Sequence, residues 1–90
     1  MSPKPGSHEH WLALRGAVLD IPIMLSLALK RSDARAAAIH VARAVRRLHA
    51  DVVNQFDETE AEDLVGNTLR YVQARLVDLF GAEAWEESST

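Results

Sequence analysis

Apolar residues recur at gaps of four and three along two stretches of the chain. Ala34, Ala38, Val41, Val45, Leu48 and Val52 form one series; Val65, Leu69, Val72, Leu76 and Leu79 form the other. This spacing keeps each series on one face of an α-helix and makes it a seam for helix packing. It predicts a helix that begins after Ser32 or Asp33, either of which offers an N-cap, and extends to about Asn54 or Phe56. A further helix starts near Thr59, which forms a capping-box pattern with Glu62. Five of the seven residues from Asp57 to Asp63 are acidic, as suits the positive end of a helix dipole. That helix should close near Phe80, with Gly81 as the left-handed terminating residue. The short connection around Gln55 to Glu58 makes the two helices antiparallel neighbours.

The preceding stretch, from about His8 to Lys30, is apolar in nearly every direction. Trp11, Leu12, Leu14, Val18, Leu19, Ile21, Ile23, Met24, Leu25, Leu27 and Leu29 cannot all be covered by one neighbouring hairpin. Pro22 removes a backbone bond to the carbonyl of Val18, which predicts a kink or break near Asp20 to Pro22, where Asp20 could cap a restarted second half. An apolar surface of this size invites association with a second copy or another protein. The expected contacts are Leu14, Val18, Ile21, Leu25 and Leu29. The resulting architecture is all-α: a three-helix unit, with helices 2 and 3 as an antiparallel hairpin, assembled as a homodimeric helical bundle. One domain spans residues 8–85, between disordered tails at 1–7 and 86–90.

Composition narrows the possibilities. The 90 residues are 48% hydrophobic and contain no cysteine, which removes thiol nucleophiles, zinc-thiolate sites and disulfides. A domain this small is marginally stable alone, which again favours association. The Trp11 to Leu29 window approaches the length of a membrane span but contains Arg15, Asp20 and Pro22, so it reads as a buried helix rather than a bilayer segment. The opening residues lack the order of basic, apolar and small residues that defines a secretory signal. These features together lead to the expectation of a cytoplasmic chain with no membrane partner.

The net charge of -3 conceals an uneven distribution: residues 1–29 are neutral, residues 30–50 carry +5 and residues 51–90 carry -8. Arg35, Arg43, Arg46 and Arg47, with His40 and His49, give helix 2 a basic face that could meet phosphates. The acidic start of helix 3 lies beside it in an antiparallel hairpin and is expected to neutralise much of this charge. Aromatic stacking platforms are missing, so nucleic acid is the weaker partner. Trp85, set among Ala84, Glu86 and Glu87, either docks another protein or folds back over the end of the bundle.

Catalytic patterns are sparse. His8 and His10 flank Glu9, but in a helix they lie about 200° apart. His40 and His49 fall on nearly opposite faces, and no Glu-x-x-His pair supplies a di-iron site. The four glycines never cluster into a phosphate-binding loop. Arg35 to His40 and Arg43 to His49 match the arginine-to-histidine spacing of the HEPN ribonucleases, although Ala36 and Ala44 stand where that family usually has a polar residue. Leu12-Ala13-Leu14-Arg15, ahead of a leucine-rich helix ending at Lys30-Arg31, is similar to the first helix of small helical chorismate mutases; Pro22 and the absence of that family's further ligands set it apart. No catalytic residue, cofactor or metal is therefore expected. The function expected is that of a non-catalytic helical interaction module, a small accessory or regulatory subunit. The alternatives are a nucleic-acid-associated regulator and a small ribonuclease-like or mutase-like enzyme.

Overall fold

A computed structural model describes residues 8–89 of the chain. The tail expected at residues 1–7 lies outside the described residues, as does Thr90. The fold is all-α, with no strand among the described residues. Its elements are α1 (His8–Ala28), α2 (Ala34–Gln55), α3 (Glu58–Ala61), a π-helical turn (Glu62–Gly66), α4 (Asn67–Phe80) and α5 (Ala82–Glu87). The segment from Glu58 to Phe80 is the helix expected after the hairpin turn, wound more loosely at Glu62–Gly66.

The α1 helix runs unbroken through Pro22, so Asp20 is an exposed mid-helix residue rather than a cap. The proline costs one backbone bond. The helix holds because Val18, Ile21, Leu25 and Ala28 are buried on both sides of it. At its end the backbone tightens, with Lys30 N donating to the Leu27 carbonyl at 3.2 Å and Arg31 N to the Ala28 carbonyl at 3.1 Å.

Asp33 is the N-cap of α2, but its carboxylate does not bond the helix backbone. It is held by Arg31, at 2.7 Å from Nε and 3.3 Å from Nη2. The next helix starts earlier than the Thr59 pattern suggested: Asp57 is the N-cap, and its side chain accepts the Glu60 backbone N–H at 2.7 Å. Glu62 is thereby released from a capping role and pairs with Arg70.

The core lies where α1, α2 and α4 meet. Ala38, Val41, Val45 and Val52 of α2 face Val65, Val72 and Leu76 across the antiparallel pair, all of them buried. Leu79 is a correction to the expected seam, since it is 46% exposed. At the far end of the bundle His10 stacks on Phe56 with centroids 5.9 Å apart, joining the start of α1 to the end of α2.

Gly81 redirects the chain. With φ 88° and ψ 167° it closes α4 in a conformation open to glycine but distinct from the left-handed helical residue expected there. The chain turns back so that α5 lies on α2 and α4. Residues 86–89, expected to belong to a tail, lie against the bundle: Glu87 completes α5 and Ser88 is buried at 3% exposure.

Candidate functional site

Two surfaces were singled out by the sequence, the basic face of α2 and the apolar face of α1. The structure treats them differently.

The basic face of α2 is occupied by the chain's own α5. Arg35 makes a two-pronged pair with the Glu87 carboxylate, both bonds 3.1 Å. Arg43 donates to the Glu87 backbone carbonyl at 3.3 Å. Arg46 donates from Nε to the Ser88 hydroxyl at 2.7 Å and from Nη2 to the Trp85 carbonyl at 3.0 Å. The last carbonyls of a helix lack partners within it and carry its negative dipole end, so guanidinium donors suit them. Arg43 and Arg46 thus cap α5 through its carbonyls and Arg35 holds it through the Glu87 side chain, which leaves Arg47 exposed and without an ion pair or hydrogen bond among the described residues.

These contacts set the ionisation of the groups. Hydrogen bonding to Arg35 holds the Glu87 carboxyl below the usual range, and Glu87 in turn raises Arg35. Burial lowers Arg46. Arg31 lowers Asp33 in the same manner, chiefly through its hydrogen bond. The neutralising acid is therefore Glu87 at the chain's end, whereas the acidic start of α3, expected in that role, makes no ion pair with α2 among the described residues.

Trp85 is half-buried, with the Arg46 guanidinium 3.8 Å from its ring centre. It packs α5 within the fold, the second of the two positions expected for it. His8 stacks on Trp11 and His10 on Phe56, so the two imidazoles point to different neighbours. Among the described residues no group of three His, Cys, Asp or Glu side chains is placed to hold a metal ion.

The α1 surface divides into two opposite faces. Val18, Ile21 and Leu25, expected as association contacts, are only 4%, 4% and 1% exposed within the single chain. Leu14 and Leu29 are partly buried against the same core. This set belongs to the intrachain core, because α2 and α4 take the face that it forms. The opposite face remains open: Leu12, Leu19, Ile23 and Leu27 are between 49% and 64% exposed. The signal for this second face was present in the sequence as the spacing of Leu12, Leu19 and Ile23. It was masked because the same helix carries two apolar series, and spacing alone does not say which one the hairpin takes.

A groove of about 600 Å³ borders this open face, with Met24 and Leu27 of α1 on one wall, Ala36, Ala37 and His40 of α2 on the other, and the Arg31–Asp33 pair at its end. By length and composition α1 also meets the requirement for crossing a membrane, with a mean hydropathy of 1.5, although it packs partly into the core. Comparison of the chain with protein-family models, curated protein sequences and solved structures gives no match.

Proposed function

We propose that this chain is a non-catalytic helical interaction module, a small accessory or regulatory subunit of the cytoplasm that forms a homodimer through the outward face of α1. The observation that carries the reading is the pairing of two apolar faces on one helix. One is filled by the chain itself; the other exposes Leu12, Leu19, Ile23 and Leu27. Apolar surface of this extent on one side of a small domain is a feature of association sites. A nucleic-acid partner has less support, since Arg35, Arg43 and Arg46 are engaged by α5. The same engagement weakens the enzyme reading, which needs Arg35 or Arg43 beside a histidine.

Molar mass by light scattering at two protein concentrations tests the reading, with Leu19→Asp as the probe and circular dichroism as the check on folding. The wild type should show a mass that rises with concentration toward that of a dimer, and Leu19→Asp should be a folded monomer. A wild type that stays monomeric, or a Leu19→Asp variant with wild-type mass, overturns it. Leu25→Asp behaves differently: it buries an unpaired charge in the core and should unfold the chain rather than dissociate it.

A further inference from the structure

The open face of α1 has an internal order that specifies how a second copy would lie on it. Leu12, Gly16, Leu19, Ile23 and Ser26 follow one another at gaps of 4, 3, 4 and 3 and are all exposed. These are the gaps between d and a positions in a two-stranded coiled coil. In that register Gly16 and Ile23 take a, while Leu12, Leu19 and Ser26 take d. Ile21 then falls at f, directly opposite the seam, where it is buried in the chain's own core. A second helix can therefore run along the seam without disturbing the fold. Lys30, at the next a position, lies beyond the end of α1 and terminates the seam.

Gly16 is unexplained by its own chain. A Cβ built there meets nothing within 4 Å, yet glycine inside a helix is about 1 kcal/mol less favourable than alanine. At an a position the missing side chain lets another helix approach closely.

The charges fix the direction. Arg15 and Asp20 are the only charged residues between Trp11 and Leu29. They sit five positions apart, about 140° around the helix, and so border the seam on opposite sides. Arg15 lies over Trp11, 5.5 Å from the ring centre, and neither residue has an ion pair among the described residues. In the same register Arg15 is g and Asp20 is the following e. In a parallel pair each g residue meets the partner's e residue five positions on, so both rims gain an arginine–aspartate pair. An antiparallel pair centred on Leu19 sets e against e and brings two Asp20 carboxylates together, a like-charge contact.

We infer that a second copy of this chain docks on α1 as a parallel, in-register helix pair, with Gly16 at the closest approach and Arg15 facing Asp20 of the partner subunit on both rims. The inference rests on the self-association proposed above and adds its orientation and its determinants.

Two measurements test it. First, Arg15→Asp and Asp20→Arg are each examined by light scattering, then mixed in equal amounts. Each alone sets like charges on both rims and should weaken association about tenfold or more. The mixture pairs an all-acid chain with an all-base chain and should return to the wild-type mass. Second, Ser26→Cys introduces a thiol into a chain that has none. A parallel pair brings the two introduced thiols together at a d position, so mild oxidation should yield a covalent dimer; an antiparallel pair separates them. A dimer mass with no cross-link, or charge variants that keep the wild-type mass, overturns the parallel pairing and leaves self-association standing. A wild type that is monomeric at every concentration overturns both, and binding of that monomer to phosphatidylcholine vesicles would assign the face to lipid instead.

Discussion

Arg46 grips Trp85 twice, with its guanidinium 3.8 Å from the centre of the indole ring and its Nη2 donating to the Trp85 carbonyl at 3.0 Å. One side chain thereby holds both the ring and the backbone of α5, while its Nε takes the Ser88 hydroxyl at 2.7 Å. A six-residue helix has too few internal bonds to persist alone, so its order depends on this grip. Hydrogen bonds to a charged donor and a cation–π contact at a partly buried site suggest that Arg46→Ala should lower stability by about 1 to 3 kcal/mol. Urea unfolding measures this directly. Hydrogen exchange should localise the first loss of protection to Ala82–Glu87. Arg47→Ala is the control, expected to change stability by less than about 0.5 kcal/mol because Arg47 is exposed. Equal effects from the two variants would remove the grip from the account.

Acid should loosen the same helix. Arg35 lowers the Glu87 carboxyl in the folded chain, so the pair contributes its full stabilisation above the ordinary glutamate value of 4.5 and loses it as pH falls through the lowered folded value. Arg43 adds to this field, and both groups of the Arg35–Glu87 pair are open to solvent, so the effect is modest and weakens with salt. The urea midpoint of the wild type should fall more steeply with acidification below that value than the midpoint of Glu87→Gln. Parallel slopes for the two proteins would show that Glu87 titrates without consequence.

The seam of α2 was readable from the sequence because burial there follows the 3.6-residue period: Ala38, Val41, Val45 and Val52 are all buried as their spacing requires. The order of the chain's end was not readable. Ala82–Glu87 is short and acidic and resembles a solvated tail; it is held by arginines 39 to 52 positions earlier, which no local pattern reveals. The candidate surface was half legible. Two apolar series on α1 were visible, but the choice between Leu25 and Leu19 for the core is made by tertiary packing, and the open series is the one that sequence reasoning passed over.

The π-helical turn sets up a competition at Gly66. Gly66 is buried with helical backbone angles, and the Glu62 carboxyl occupies the space that a Cβ would need. In Gly66→Ala the helix gains up to about 1 kcal/mol. Against this, Glu62 must swing away from Arg70, and an exposed pair of that kind is worth about 0.2 to 1 kcal/mol. The single variant should therefore lie within about 0.5 kcal/mol of the wild type, since the two effects offset. In a Glu62→Ala background the obstruction is gone, and the same substitution should stabilise by about 0.5 to 1 kcal/mol. A double-mutant cycle by urea unfolding reads the difference; an identical effect in both backgrounds would mean that Glu62 does not hold the site closed.

Pro22 stands inside an unbroken α1, between the buried Ile21 and the exposed Ile23. It has no N–H to give the carbonyl of Val18, and a proline in a helix interior costs about 3 kcal/mol relative to alanine. Some of that cost is recovered because proline also restricts the unfolded chain, by about 0.4 to 1 kcal/mol. Pro22→Ala should restore the missing bond and leave a net gain of about 2 to 2.6 kcal/mol. For a domain of this size that corresponds to a rise in Tm of roughly 4 to 8 °C per kcal/mol. The substitution is small and lies beside the seam rather than in it, so the molar mass should not change. A lower Tm would instead mean that the ring of Pro22 packs against its surroundings strongly enough to outweigh the lost backbone bond.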